Sequence, residues 1–289
     1  MQIHAIQTGT VAVKESQPQG SHGDGAIRLL NTMLDPIWTA PLPIYAWVIE
    51  HPEGIIVIDT GETARTAEAG YLPWWHPYFK LGMKASVTPE EEIGPQLRRL
   101  GIPPEEVRWV IMTHLHTDHA GGLYHFPKSE ILVSRKEYEL AAGFSGRMRG
   151  YLSNHWPDWF EPHLIEFRPE SFRNFPESFS VTEAGDVRLV PTPGHSGGHL
   201  SVILENDTLS YFFAGDASYT EQGLLDQIVD GVSLNRRLAR QTLAQILHYV
   251  QQMPSIYLPS HDPDSGHRLA ARQVILPERH PVPVNSHQP

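Results

Sequence analysis

The sequence contains no cysteine, so disulfide bonds and thiolate metal ligands are both excluded. It also lacks an excess of positive charge, since the formal net charge is −11 at pH 7, and this disfavours nucleic acid or an anionic membrane as a partner. No apolar run approaches the ~18 residues of a membrane-spanning helix, and the N-terminus lacks the basic start and apolar core of a signal peptide. We therefore expect a cytoplasmic protein whose partner is a small molecule.

Composition along the chain changes too little to mark a linker between domains. Hydrophobic residues make up 40% and charged residues 19%, which is ordinary for a globular protein with a sizeable core. We therefore interpret residues 1–289 as a single domain.

Short apolar runs predict strands throughout the chain. Residues 3–13 are interpreted as two short strands joined by a Thr-Gly turn, and residues 43–61 as a β-hairpin. Further strands are predicted at 107–113, 131–134, 187–191, 200–206, 208–216 and 255–261.

Helical patterns alternate with these strands. One helix is predicted from Thr88 or Pro89 to Leu100, with Gly101 ending it, and others at 135–143 and 234–253. This alternation favours α/β layers in which sheets pack together with helices outside.

The hydrophobic residues of segment 62–86 show no regular periodicity, and five aromatic residues occur between positions 71 and 79. We interpret the segment as an aromatic-rich ordered insertion over a pocket. Its aromatic residues could instead belong to the core or contact a second copy of the chain, so a homodimer stays open.

Several imidazole and carboxylate groups follow apolar strands. Four of them fall within six residues after the strand at 107–113, and three more each follow a later strand. Such groups are the ligands that a zinc-like ion accepts when thiolates are absent. The seven candidates are His114, His116, Asp118, His119, His195, Asp216 and His261.

The pattern HxHxDH, then one His, one Asp and a last His, resembles that of the metallo-β-lactamase superfamily. The resemblance runs from Tyr45 to His261 and includes the IDTG segment at 58–61. It implies an αββα sandwich, two central mixed β-sheets flanked by helices, with two divalent metal ions at one edge. Zinc is expected, with iron, cobalt and manganese open. By this resemblance His114, His116 and His195 hold the first ion, Asp118, His119 and His261 the second, and Asp216 bridges both.

Within that superfamily, the segments GHSGGHLS and GDASYT are most similar to the N-acyl-homoserine lactonases. This similarity implies a small-molecule lactone substrate, whose ring is opened by a hydroxide that bridges the metals. Tyr219, three residues after Asp216, would stabilise the developing oxyanion, and Asp118 would carry the proton to the leaving alkoxide. Tyr219 could alternatively be a core or rim aromatic residue.

Other activities share the same seven ligands. A glyoxalase II-like thioesterase, a phosphotriesterase or another lactonase stays open. A thioesterase acting on glutathione would use basic C-terminal residues such as Arg268, Arg272 and Arg279. A metal-binding protein without catalysis is the remaining alternative. In such a protein the coordination position that a catalytic site leaves open for water would be blocked. We interpret the glycines beside the ligands as leaving room there: Gly121, Gly122, Gly197 and Gly198.

Several further residues have predicted supporting or external positions. We expect His199 to support the site without being a ligand. Asp59 either orients a ligand imidazole or has a simple turn role with Gly61. The histidines interpreted as solvated are His22, His51, His76, His280 and His287.

Overall fold

Two β-sheets form the centre of the protein in this computed structural model, which describes residues 1–233 and 235–276. Within these ranges the first sheet has seven strands: β1 (Gln2–Val13), β2 (Leu42–His51), β3 (Gly54–Ile58), β4 (Met83–Ser86), β5 (Val107–Ile111), β6 (Glu130–Ser134) and β7 (His163–Ile165). The second has five: β8 (Phe179–Ser180), β9 (Val187–Pro191), β10 (Leu200–Glu205), β11 (Ser210–Gly215) and β12 (Ser255–Pro259).

Both sheets are mixed. The first has the order β4-β1-β2-β3-β5-β6-β7, with antiparallel pairing from β4 to β3 and parallel pairing from β3 to β7. The second has the order β12-β11-β10-β9-β8, in which only β12 pairs in parallel.

Helices lie between the strands in sequence. Across the described ranges the α-helices are α1 (Ser16–Gln19), α2 (Gly25–Leu34), α3 (Pro77–Leu81), α4 (Ile93–Arg99), α5 (Thr117–Ala120), α6 (Arg135–Ala142), α7 (Glu221–Leu225), α8 (Arg236–Gln252) and α9 (Ser265–Ala271). Short 3-10 helices occur at Ala64–Ala67, Pro89–Glu91, Pro104–Glu106, Leu123–His125, Arg147–Arg149 and Ser153–His155. None of the helices so described has the length and apolar character to span a bilayer.

The two-residue period of the strands explains how the layers pack. In β2, Trp47 and Ile49 pack in the core shared with the second sheet, whereas Val48 packs in the core that includes Ile93 and Leu97 of α4. The face of the second sheet that points away from the first sheet packs against α8. Because both faces are buried there, central strands such as β3 and β12 are apolar at nearly every position. The expected αββα sandwich is confirmed.

Two local predictions were wrong. Residues 2–13 form one strand, because the Thr-Gly pair makes a bulge at Gly9 (φ 99°) between the two registers with β2 and does not turn the chain. The helix predicted from Thr88 is split at Glu92, whose backbone is extended (ψ 154°). The aromatic segment 62–86, interpreted as an ordered insertion, includes the short helix α3 and the edge strand β4.

Candidate metal centre

The ends of four strands bring the seven candidate ligands together. β5 is followed by the loop with His114 and His116, and α5 then carries Asp118 and His119. The other ligands follow strands of the second sheet: His195 comes after β9, Asp216 directly after β11 and His261 two residues after β12. Both sheets therefore contribute to one site at their shared edge.

His114, His116 and His195 form the first group. One ring nitrogen of each lies within 4.8 Å of the others. His116 Nδ1 and His195 Nε2 lie 3.1 Å apart. The three nitrogens therefore face a common point.

Asp118, His119 and His261 form the second group, with ligand atoms again within 4.8 Å of one another. Asp216 lies between the groups. Its Oδ1 is 3.3 Å from His119 Nε2 and 3.4 Å from His261 Nε2, while its Oδ2 is 3.5 Å from His195 Nε2. One carboxylate thus faces both groups.

The donor set fits divalent cations. His114 Nε2, His119 Nε2 and Asp216 Oδ1 are buried and make no hydrogen bond within the described residues. Buried polar atoms without partners are costly and rare. A cation shared between imidazole nitrogens and carboxylate oxygens would satisfy them, and zinc, iron, cobalt and manganese all accept such ligands.

The protonation states of His116, Asp118 and Asp216 suit a cation, whereas carboxylates raise the pKa of His119, His195 and His261 against the effect of burial, so these rings would release a proton on binding one. Burial lowers the pKa of His116 to about 3, so its ring is neutral. Burial opposes ionisation of Asp118, but the imidazoles of His119 and His261 lower its pKa to about 2. The pKa of the Asp216 carboxyl is likewise held well below its usual range by imidazoles, against the effect of burial. Neutral imidazole and ionised carboxylate are the forms that bind metals.

Asp59 orients one of the candidate ligands. Its Oδ2 lies 2.8 Å from His119 Nδ1, and its carboxylate also accepts hydrogen bonds from the Thr113 amide and hydroxyl, each at 2.8 Å. Its backbone adopts a left-handed conformation (φ 58°), which a non-glycine residue seldom does. Of its two interpretations, orientation of an imidazole therefore fits the structure.

Supporting contacts missed by the sequence analysis involve Asp230 and Pro43. Asp230 Oδ2 lies 3.4 Å from His195 Nδ1, and the Pro43 carbonyl is 2.9 Å from His261 Nδ1. Neither partner belongs to the ligand motif, and no residue pattern near them points to the site. His199 was expected to support the site, and its Nε2 accepts a hydrogen bond from the Asp216 amide at 3.0 Å.

The glycines beside the ligands do not leave room for substrate at three of the four positions, so that interpretation was wrong there. A Cβ atom at Gly121 would lie 2.6 Å from Glu62 Oε1, one at Gly122 would lie 2.4 Å from the Thr60 carbonyl oxygen, and one at Gly198 would lie 2.2 Å from the Glu137 amide nitrogen. These glycines allow the ligand loops to pack closely against neighbouring segments.

A cavity of about 360 Å³ opens beside the ligands. Tyr219 lines it and stacks on His261, with ring centroids 5.4 Å apart. The Tyr219 hydroxyl accepts a hydrogen bond from Gln17 Nε2 at 2.6 Å. Apolar side chains form much of the remaining wall: Leu29, Phe79, Met83, Leu140, Met148 and Leu238.

Two histidines that were expected in solvent are buried. His51 contacts Asp186 at 3.0 Å, and His76 is 4% exposed and lines the cavity. His22 is exposed as expected. His280, His287 and Arg279 lie outside the described residues.

Comparison with known proteins agrees with this fold. The family model of the metallo-β-lactamase superfamily matches residues 39–261. An N-acyl homoserine lactonase of Bacillus thuringiensis is 30% identical over 236 residues, covering 81% of this chain and 86% of the relative. The lactonase AttM of Rhizobium radiobacter is 25% identical over 274 residues, covering 92% and 94%.

A solved structure of an N-acyl homoserine lactone hydrolase, with the product N-hexanoyl-L-homoserine bound at its catalytic metal centre, has the same fold. Its TM-score is 0.72 at 23% identity, and the match covers 96% of this chain and 97% of that one. The sequence match, the sandwich and the clustered ligands lead to one conclusion: the chain belongs to the metallo-β-lactamase superfamily.

Proposed function

We propose that the protein is a metal-dependent hydrolase that opens the lactone ring of N-acyl-homoserine lactones. The cavity carries this proposal, because its lining combines two kinds of side chain. Asp118, His195 and Asp216 belong to the candidate metal centre, whereas apolar side chains such as Phe79 and Met148 supply much of the rest. A substrate with a polar ring and an aliphatic tail matches both kinds.

We further propose that the chain binds two divalent ions, zinc by preference. His114, His116 and His195 would hold one, Asp118, His119 and His261 the other, and Asp216 would bridge both. When bound, such ions acidify a water molecule and polarise a carbonyl group. Because both sheets supply ligands, the chain would act as a single domain.

Tyr219 and Asp118 would assist the reaction. The Tyr219 oxygen accepts from Gln17, which leaves the phenol proton free to hydrogen-bond to the oxygen of the substrate carbonyl as negative charge develops there. The Asp118 side chain is 20% exposed and that of Asp216 only 3%, so Asp118 is the more accessible carboxylate for delivering a proton to the leaving alkoxide.

The surroundings of the basic C-terminal residues favour a lactone over a glutathione thioester. Arg268 is 5% exposed and pairs with the Asp262 carboxylate, so it is not free to bind a tripeptide. Arg272 is exposed and is not among the residues that line the cavity.

Turnover of matched substrates tests the proposal. Metal-loaded protein should hydrolyse an N-acyl-homoserine lactone with a higher kcat/KM than a glutathione thioester or a phosphotriester. The Asp216→Ala variant, prepared in the same way, should lose several orders of magnitude of activity, because two cations would then face each other without the bridge. A higher kcat/KM for the thioester, or near-normal turnover by Asp216→Ala, would contradict the assignment.

A further inference from the structure

One polar side chain in the wall of the cavity has no assigned role. His76 directly precedes α3, and its ring packs against those of Phe79 and Trp75, with centroids 4.9 and 5.6 Å away. The side chain is almost fully buried, and it lines the same cavity as the candidate ligands.

Neither ring nitrogen of His76 has a hydrogen-bond partner in the part of the chain that the structure describes. The backbone of Met148 lies nearby but does not reach hydrogen-bond geometry with the ring. Buried polar atoms are almost always paired, so two unpaired nitrogens on a side chain that lines a cavity indicate a missing polar partner.

The chemistry of that partner follows from the state of the ring. Burial lowers the pKa of His76, so the imidazole is neutral and offers one N–H donor and one nitrogen acceptor. A neutral ring among aromatic and apolar side chains is a poor site for a charged group. A keto oxygen can accept from the donor, and a hydroxyl group can use either nitrogen.

We propose that His76 binds a keto or hydroxyl oxygen carried on the acyl chain of the substrate, which makes it a specificity-determining residue. The inference rests on the proposed function, since it assumes that the aliphatic tail lies along the wall formed by Phe79, Met83 and Met148. The protein would then favour oxygen-substituted acyl chains over unsubstituted chains of the same length.

Two lactones of equal acyl length, one unsubstituted and one with a keto or hydroxyl group on the chain, test the proposal. The kcat/KM ratio of wild-type protein should favour the substituted lactone by about fivefold, as expected for one net hydrogen bond. In His76→Phe, which retains an aromatic ring, the ratio should fall to about one through loss of activity on the substituted lactone. His76→Gln should restore part of it.

Met83→Leu is the matched control, because Met83 lines the cavity without offering a hydrogen bond, and it should leave the ratio unchanged. An equal ratio in wild type and His76→Phe would overturn the proposal, and would indicate that water occupies these nitrogens.

Failure of the proposed function is a separate result, namely that wild-type protein opens neither lactone. In that case, titration calorimetry with simple acyl amides that carry or lack a keto or hydroxyl group on the acyl chain measures the same preference. The preference is then the ratio of the Kd values of the two amides. Wild-type and His76→Phe proteins with equal Kd ratios would then overturn the role of His76, whatever the reaction.

Discussion

At the scale of single residues, four of the five candidate ligand imidazoles have a polar group close to their second ring nitrogen. The pairs are His114 with Thr113, His119 with Asp59, His195 with Asp230, and His261 with Pro43. Such contacts select the ring orientation and tautomer that face a metal. Only Asp59 could be anticipated, from its IDTG segment, because the other acceptors are a common hydroxyl or lie far away in sequence.

Replacement of Asp59 by Asn should weaken metal binding by about 10- to 100-fold, because the amide cannot accept from both Thr113 and His119 as the carboxylate does. Competition with a chelator would measure this change. Asp186→Asn is the control, since Asp186 pairs with His51, which is not a candidate ligand. Equal affinity in Asp59→Asn and wild type would show that the Asp59 contact does not support binding.

Replacement of Tyr219 by Phe should lower kcat by about 10²-fold or less, because one donor to a developing oxyanion is typically worth 10²- to 10³-fold and metal ions would share that charge. Metal content should not change, because the phenol is not a candidate ligand. Steady-state kinetics with elemental analysis would test both expectations. Wild-type kinetics, or loss of a metal ion, would show that Tyr219 is a structural aromatic residue.

At the scale of elements, a buried carboxylate on α6 joins the two loops of the first ligand group. Glu137 accepts hydrogen bonds from the Leu115 amide on one loop and from the Ser196 hydroxyl and Gly198 amide on the other. It also accepts from the Tyr151 hydroxyl, and the Tyr151 ring stacks on His116. The helix thereby sets the separation of His114, His116 and His195.

Glu137→Ala should lower the free energy of unfolding by about 3 kcal/mol or more, because four donors lose a buried acceptor. Glu137→Gln should cost less, since its amide oxygen still accepts. Denaturant unfolding of metal-free protein would measure both changes. Glu139→Ala is the control, because Glu139 is exposed on the same helix and should stay within about 0.5 kcal/mol of wild type. If Glu137→Ala also changed the free energy of unfolding by no more than about 0.5 kcal/mol, Glu137 would not be what holds the two ligand loops together.

The aromatic segment contributes unequally to the cavity. Phe79 lines it, whereas Trp74 is 80% exposed. Phe79→Ala should lower kcat/KM for a long-chain lactone at least about tenfold more than for a short-chain one. Trp74→Ala should change neither. Unchanged chain-length preference in Phe79→Ala would assign the segment a purely structural role.

The elements that the sequence predicted best were buried on both faces. β5 and β11 are mostly apolar, and a polar ligand follows each within three residues, so both their type and their approximate end were visible in the sequence. The helix expected from Thr88 was interrupted because Glu92 accepts from Thr63, Tyr124 and His125, which are distant in sequence. β4 was missed because an edge strand of four residues has little periodicity.

At the scale of the whole molecule, one site joins both sheets, so metal binding and folding should be linked. The linkage should depend on pH. Burial alone would lower the pKa of His261, but the carboxylates of Asp216 and Asp118 raise it from 6.5 to about 10 in the metal-free protein. Protonated His261 therefore stabilises the metal-free fold fully below pH 6.5, and this contribution is lost as the pH rises towards 10.

Metal ions bind the unprotonated ring of His261, so they compete less well with protons as the pH falls. As the pH rises, the protonated ring disappears and the bound metal supplies the stabilisation that the ring no longer gives. The difference in Tm between metal-loaded and chelator-treated protein should therefore increase from pH 6.5 to pH 9. Each ~1 kcal/mol of added linkage should appear as about 2–4 °C for a chain of this size. Calorimetry of His261→Gln supplies the control, because its Tm difference should vary less with pH. A difference that stays constant or shrinks with rising pH in wild-type protein would show that His261 does not exchange a proton for a metal ion.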